Sequence, residues 1–159
     1  MRNLDVQMLT VYHSAEPIKA FTGKYRWLSN FYPSQVHYQD TEFPTVEHAY
    51  QYAKCIDDDD KAKIIAARTA AEAKRIGGSV STRIDWEMVK EDIMLSLVRQ
   101  KFSINVLRDM LLETGNASIV EGNTWHDNIW GDCVCRRCAH IHGRNLLGKI
   151  IKKVRSELR

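Results

Sequence analysis

From Pro44 onward, apolar residues recur every three or four positions, which is the period of an amphipathic helix. Thr45 can cap a first helix that ends near Cys55. Further helices are predicted over residues 59–67, from a capping box at Thr69 to 77–78, from a cap at Asp85 to 102, over 105–113 and over 147–158. The pattern therefore predicts a mainly α-helical fold.

The first 43 residues follow a different pattern. Weak alternation over Val6–Tyr12 and Gln35–Phe43, with a turn at 39–40, predicts a small N-terminal β-sheet. Residues 119–143 lack clear periodicity and are rich in Trp, Asp, Asn, His and Cys. A loop of this length in a compact domain is usually functional or disordered, and its tryptophans argue against disorder.

Bulk composition limits the class of protein. The 159 residues, 44% hydrophobic and 27% charged, fit one globular domain over 1–159. The net charge of +3 allows a phosphate-bearing ligand but is too small for a dedicated nucleic-acid binder. We find no membrane span or signal-peptide core, and four cysteines in this pattern are not a disulfide framework, so we expect a cytoplasmic protein.

The first candidate for chemistry is the helix after Thr45. Glu47, Gln51 and Lys54 lie at i, i+4 and i+7 and therefore share a face beside the apolar stripe. An acid in the first turn is favoured by the helix dipole alone, so Glu47 has an ordinary structural interpretation. The functional interpretation is a carboxylate at a pocket rim, with Gln51 and Lys54 contacting the ligand.

The long helix from Asp85 supplies a second candidate set. Trp86, Lys90 and Lys101 fall roughly on one side of it. A helical aromatic residue is more often part of the core than a ligand platform. Two lysines on the same side instead favour a tryptophan that stacks on a base while the ammonium groups bind phosphate.

The stretch from Glu121 to Gly131 is the densest polar and aromatic segment of the chain. Asp127 lies between Trp125 and Trp130, where a carboxylate shielded from water can make strong directional contacts. The structural alternative is a turn in which the Asp-Asn pair bonds its own backbone.

A cysteine-rich segment follows. Cys133, Cys135, Cys138 and His140 could bind zinc, because Cys135 and Cys138 have a knuckle spacing. Structural zinc sites normally take their ligands from two separated pairs, so the sequence favours a plain loop over a metal site.

Several motifs together resemble the NADAR superfamily, the YbiA-like proteins. The first blocks are 27–33 (WLSNFYP) and 43–51 (FPTVEHAYQ). Later blocks occur in order at 73–74, 85–86, 89–90, 94, 101–102, 111–115, 121, 127, 130–131 and 143–149, so the core motifs cover about 21–159. The cysteine-rich insert departs from the commonest pattern of the family.

The resemblance implies a mainly helical fold with minor β structure, an N-glycosidase activity and no cofactor. One branch of the family hydrolyses ribosylaminopyrimidine phosphates of the riboflavin pathway, of the 5-amino-6-ribosylaminouracil phosphate type. Another branch removes ADP-ribose from guanine in nucleic acids. The resemblance implies roles for the following residues: Asn30, Glu47, Trp86, Lys101, Asp127 and Trp130, and also Tyr50, Gln51, Lys54 and Lys90.

Cleavage of a ribosyl C–N bond builds oxocarbenium character, which a carboxylate stabilises. We expect Glu47 and Asp127 to divide charge stabilisation and proton transfer or water guidance. An alternative is attack by Lys101 or Lys54 on a ring-opened sugar to form a Schiff base. Two non-enzymatic alternatives are a module that binds ADP-ribose or a nucleotide without turnover, and a zinc-stabilised interaction domain.

Overall fold

The computed structural model of the protein describes residues 15–159. The α-helices are α1 (Val46–Lys54), α2 (Asp58–Ala66), α3 (Ala70–Gly77), α4 (Trp86–Lys101), α5 (Asn105–Glu113) and α6 (Leu146–Glu157). The strands are β1 (Val36–Tyr38), β2 (Thr41–Phe43), β3 (Gly122–Asn123) and β4 (Asp132–Cys133). The predicted mainly α fold with a small sheet is confirmed.

The predicted hairpin is present. β1 and β2 pair antiparallel, with Val36 opposite Phe43, and the two-residue turn places Gln39 at a φ of 52°. The predicted strand over Val6–Tyr12 lies outside the described residues.

Two of the three predicted helix caps form. Thr45 accepts a hydrogen bond from the His48 N–H (3.2 Å), and Thr69 accepts one from the Glu72 N–H (3.1 Å). Asp85 precedes α4 as expected, but its side chain makes no cap bond. That carboxylate instead pairs with both Nε and Nη2 of Arg83, at 2.6 and 2.8 Å, because a guanidinium binds a carboxylate in a bidentate way.

Helix α1 is the central element of the fold. It packs against α3 and α4, and its apolar face is buried in the core. His48, also buried, joins Thr45 Oγ1 (2.8 Å) to the carbonyl oxygen of Ala67 (3.1 Å), which fixes α1 against the end of α2. The position of α1 is therefore set by packing on two sides and by a buried imidazole.

The segment over 119–143 contains more regular structure than its sequence predicts. β3 pairs in parallel with β4. Just before β3, Ile119 forms an isolated parallel bridge with Ile18. The Val120 N–H donates to the Ile18 carbonyl, and the Gly122 N–H donates to the Lys19 carbonyl. Strands this short, paired with residues this distant in sequence, produce no detectable alternation of apolar and polar residues.

Asn145 connects this segment to α6. Its φ is 49°, its Oδ1 accepts the Glu121 N–H (3.0 Å), and its Nδ2 donates to the Ile119 carbonyl (2.9 Å). A short polar side chain tolerates this left-handed backbone, which most residues avoid. The start of α6 is thereby tied to the residues that lead into β3.

None of the helices within residues 15–159 is both long enough and apolar enough to cross a lipid bilayer.

Arg155 of α6 provides a test of this framework. Its buried guanidinium donates to Thr114 Oγ1 (2.7 Å) and to the Ala117 carbonyl (2.8 Å). We expect Arg155→Leu to lower the free energy of unfolding by about 2–3 kcal/mol, because a buried carbonyl loses its donor. Urea denaturation measures this loss.

Arg99→Leu is the matched control, because Arg99 pairs with Glu157 on an exposed surface. It should cost less than about 1 kcal/mol. Equal losses for the two variants would contradict the assigned role of Arg155.

Candidate active site

One cavity of about 760 Å³ lies beside α1. Its wall is formed by the segments 19–22 and 29–31, by α1, by α3 and α4 through single residues, and by residues 121–134. This volume is typical of a small-molecule site. Six residues expected at the site line it: Asn30, Glu47, Tyr50, Gln51, Asp127 and Trp130.

Glu47 is the buried carboxylate of α1. It is 7% exposed, and its Oε1 accepts a hydrogen bond from Gln51 Nε2 at 2.8 Å. Burial raises the pKa of Glu47, while the Gln51 hydrogen bond and the charge of Lys74 act to lower it. The helix start therefore presents to the cavity a carboxyl group that holds its proton more tightly than usual.

Gln51 is held in place by α3. A Cβ added at Gly77 would lie 1.9 Å from Gln51 Oε1, so only glycine leaves room for this amide. The i, i+4 spacing on α1 and the bare backbone of α3 together fix the Glu47–Gln51 pair.

Glu121 is a second buried carboxyl group. Burial raises its pKa to about 7, with a further contribution from the negative charge of Asp127. A Cβ at Gly131 would lie 2.3 Å from the Glu121 carbonyl oxygen and 3.1 Å from its Oε2, so Gly131 permits the close packing here. At neutral pH, Glu121 is therefore poised between its protonated and ionised forms.

Asp127 is fixed by a turn. Its Oδ1 accepts the N–H groups of Ile129 (3.0 Å) and Trp130 (2.9 Å), and its own N–H donates to Asn123 Oδ1 (3.2 Å). Both sequence interpretations are thus realised, since the carboxylate closes a turn and also lines the cavity. Within residues 15–159, Asp127 Oδ2 accepts no hydrogen bond and remains free for a ligand.

Two aromatic rings form part of the inner wall. The Tyr50 ring meets that of Trp130 edge to face at 5.5 Å, and it packs on Trp86 at 4.9 Å. Burial raises the pKa of the Tyr50 hydroxyl, so it remains a neutral donor and acceptor. Trp86 supports Tyr50 from behind and does not line the cavity.

A cationic and aromatic group occupies the cavity mouth. The exposed Lys74 places its Nζ 5.7 Å from the centre of the Phe31 ring and 5.4 Å from that of Trp125. Phe31 is 39% exposed and Trp125 is 56% exposed, although both are large apolar side chains. Exposed rings beside a cation are suited to stacking on a flat ligand.

Three buried polar side-chain atoms have no hydrogen-bond partner among the described residues. They are Asn30 Oδ1, Gln51 Oε1 and Glu121 Oε2, and all three belong to residues that line the cavity. Buried polar atoms are rarely left unpaired, so their concentration here indicates a place for a polar ligand.

Four other expected site residues do not line the cavity: Lys54, Trp86, Lys90 and Lys101. The buried Lys90 bonds to Glu87 on its own helix. Lys101 is 1% exposed, and its Nζ donates to the Ser29 carbonyl at 2.7 Å. Burial lowers the pKa of Lys101 to about 7. The lysine positions the 29–31 segment from behind.

Sequence reasoning assigned no role to Lys74, Phe31 or Glu121. Glu121 belongs to one of the family motifs. Its burial depends on contacts with Asn145 and Gly131, which the neighbouring sequence does not reveal. Lys74 likewise stood in a motif, and only the packing of α3 against α1 brings it to the cavity.

The three clustered thiols, Cys133, Cys135 and Cys138, lie together and do not line the cavity. The imidazole beside them is that of His126 and not that of the expected His140. The sequence-based prediction of His140 as the fourth member of this group is therefore corrected, because the turn before Asp127 brings His126 to the sulfur atoms.

The NADAR domain matches residues 18–159 of this chain. This chain belongs to the NADAR family. The resemblance drawn from the sequence motifs is thus confirmed, and it extends through β3, β4 and the cysteine-rich segment.

Two relatives indicate the chemistry of the family. An N-glycosidase from Nostoc punctiforme is 40% identical over 141 residues, which cover 85% of this chain and 86% of that protein. A riboflavin biosynthesis protein from Vibrio vulnificus is 36% identical over 135 residues, which cover 83% of this chain but only 35% of that protein.

The fold is similar to a solved structure of this family. The NMR structure of the Escherichia coli protein YbiA superposes with a TM-score of 0.76 at 29% identity. The match covers 94% of this chain and 89% of that one.

The raised pKa of Glu121 predicts a pH-dependent stability. A carboxyl group with a folded-state pKa of about 7, against an ordinary 4.5, binds more protons when folded, so its ionisation costs stability as pH rises through this window. Glu121→Gln removes the cost. Relative to wild type, we expect the variant to gain up to about 3 kcal/mol between pH 4.5 and pH 8.

Urea unfolding of both proteins at several pH values measures this difference. A difference that stays constant over the range would contradict the burial of an ionisable Glu121.

Proposed function

We propose that this protein is an N-glycosidase that hydrolyses the bond between a ribose phosphate and a nitrogen base. The observation that carries the proposal is the convergence of three carboxyl groups, those of Glu47, Glu121 and Asp127, on one cavity. An N-glycosidase is also the class named for the Nostoc relative.

The carboxyl groups suit the two demands of this reaction. As the C–N bond breaks, positive charge grows at the anomeric carbon, and the fixed carboxylate of Asp127 stabilises it. The departing nitrogen needs a proton. Glu121, whose pKa is about 7, is a donor matched to neutral pH, and the raised pKa of the buried Glu47 makes it a second candidate donor. Water then adds its hydroxyl to the anomeric carbon, and its remaining proton restores the glutamate that protonated the nitrogen.

The remaining wall accounts for substrate binding. The rings of Tyr50 and Trp130 line the wall beside the base, and the unpaired amide oxygen of Asn30 accepts a hydrogen bond from an exocyclic amine or a sugar hydroxyl. Lys74 and Lys19 line the cavity and supply cations for the phosphate.

We propose a riboflavin-pathway intermediate, of the 5-amino-6-ribosylaminouracil phosphate type, as the first substrate to test. The name of the Vibrio relative supports this choice. Its pyrimidine carries several donors and acceptors, which match a wall that holds unpaired polar atoms.

A second candidate is an ADP-ribosyl guanine in nucleic acid or an ADP-ribose compound derived from NAD. The exposed pair of Phe31 and Trp125 around Lys74 favours it, because a second base could stack there while the lysine meets a pyrophosphate. The small-molecule substrate uses only the inner part of the cavity, whereas this larger substrate uses the mouth as well.

The geometry favours water over Lys54 or Lys101 as the nucleophile. Neither Lys54 nor Lys101 lines the cavity, and the Lys101 Nζ is engaged with the Ser29 carbonyl. The lowered pKa of Lys101 alone would suit a Schiff base, but a nucleophile must also reach the sugar.

The function is tested by product analysis. We expect the wild-type protein to hydrolyse one of three substrates. The ribosylaminouracil phosphate would give free base and ribose phosphate, ADP-ribosyl-guanine DNA would give unmodified DNA and ADP-ribose, and NAD would give nicotinamide and ADP-ribose. Glu47→Gln and Asp127→Asn should each lower turnover about 100-fold or more, because each removes one electrostatic contributor. Mass spectrometry identifies the products.

Asp109→Asn and Glu113→Gln are matched controls, because both side chains are exposed on α5. These variants should retain wild-type rates. If both site variants kept wild-type rates while folded, the assignment of the carboxyl groups would be wrong. Binding of ADP-ribose without turnover of any substrate would replace the enzyme by a binding module.

The identity of the nucleophile is tested by trapping. Incubation with the consumed substrate and borohydride should leave the intact mass unchanged, because the water route forms no imine. Peptide mapping would locate any adduct. A reduced adduct on any lysine, whether Lys54, Lys101 or the cavity residues Lys19 and Lys74, would overturn the water route.

A further inference from the structure

A second group of reactive side chains lies beside the cavity. The sulfur atoms of Cys133, Cys135 and Cys138 and one ring nitrogen of His126 all lie within 4.8 Å of one another. The four residues come from two separated places: the turn before Asp127, and the stretch that contains β4 and the short 3-10 helix Arg136–Cys138. One ligand thus comes from the first place and three from the second, and three cysteines with one histidine are a ligand set of structural zinc sites.

The distances fit a tetrahedral metal site. His126 Nδ1 lies 3.3 Å from Cys135 Sγ and 3.5 Å from Cys138 Sγ. Zinc bonds of about 2.3 Å to sulfur and about 2.0–2.1 Å to nitrogen give a tetrahedral edge of about 3.5 Å between these atoms. Two of the six edges of the tetrahedron thus already have about this length, and the other four are no longer than 4.8 Å.

The backbone holds the four residues in this arrangement. His126 has a φ of 69°, in the left-handed region that costs energy for a residue with a Cβ. The Cys138 N–H donates to the Cys135 carbonyl at 3.0 Å, and the Cys133 N–H donates to Asn128 Oδ1 at 2.9 Å. Strain at His126 is expected where a side chain must meet a fixed ligand set.

Charge and ligand type decide which ion fits. Three thiolates and an imidazole are the soft donors that select zinc over magnesium or calcium. Arg136 and Arg137, between two of the cysteines, offset the excess negative charge of a zinc ion bound by three thiolates. Four protein ligands leave no open position for a reacting water, so the site is structural.

A disulfide is the main alternative for clustered thiols. The three thiols are free in this structure, and a disulfide would use two of them without needing the histidine. The strained backbone of His126 and its position at the fourth corner favour a metal.

We propose that His126, Cys133, Cys135 and Cys138 bind one structural Zn²⁺ ion, which holds in place the turn that carries Asp127. Trp125 and Asp127, on either side of His126, both line the cavity. The metal would therefore hold the active-site turn to β4, without itself taking part in the reaction.

Metal analysis of the tag-free full chain, purified under reducing conditions, tests the proposal. We expect about one zinc per chain, and replacement by Co²⁺ should give the visible absorption bands of a tetrahedral thiolate site. His126→Asn and Cys135→Ser should lower zinc affinity in a chelator competition by more than the 10- to 100-fold that loss of an outer-shell partner costs.

His140→Asn is the matched control, because His140 is the nearby histidine that lies outside the four-residue group. It should retain the metal. The chelator competition and the cobalt spectra can be measured on the wild-type protein alone. The proposal can therefore be tested even if a variant fails to fold. Wild-type protein that takes up no zinc or cobalt when reduced, or equal metal loss in His126→Asn and His140→Asn, would overturn it.

Discussion

The structure depends on the burial of acidic side chains around one cavity. Removing a carboxylate from water is expensive unless it is paired or protonated. Glu47 has a hydrogen bond from Gln51, and Glu121 has an oxygen without a partner among the described residues. Both groups respond with raised pKa values, so part of the cost is met by protonation. The remaining unfavourable free energy of desolvation must be offset by packing elsewhere in the fold, which keeps these groups away from solvent.

The frame that meets this demand is α1 and its neighbours. The apolar face of α1 is buried against α3 and α4, and His48 bonds to the end of α2. On the opposite wall, Asn145 links α6 to Ile119 and Glu121. Two glycines, Gly77 and Gly131, let backbone approach the acidic and amide groups more closely than any side chain would allow. Stability and active-site geometry therefore share the same contacts.

The sequence predicts local features well and contacts between distant segments poorly. The local pattern predicts α1 to α6, and most of these helices bury a stripe of their own residues; α2 buries only Ile64. Glu47 and Gln51 follow from spacing along one helix. Trp86 and Lys101 share one side of α4, as their spacing predicts, but both are buried there and neither lines the cavity. Glu121 and His126 acquire their surroundings through pairs 18–119 and 122–132, which leave no periodic signal.

One turn connects the two chemical centres of the molecule. Trp125 and Asp127 line the cavity, while His126 between them lies with the three thiols. The left-handed backbone at His126, with a φ of 69°, lets its side chain turn to the sulfur atoms while its two neighbours line the cavity. An interaction that keeps the His126 side chain beside the sulfur atoms therefore also keeps Asp127 at the cavity. There, its Oδ2 accepts no hydrogen bond from residues 15–159 and can contact a ligand. A bound metal would thus act on catalysis through position alone: it would reduce the motion of the carboxylate whose fixed orientation stabilises the transition state.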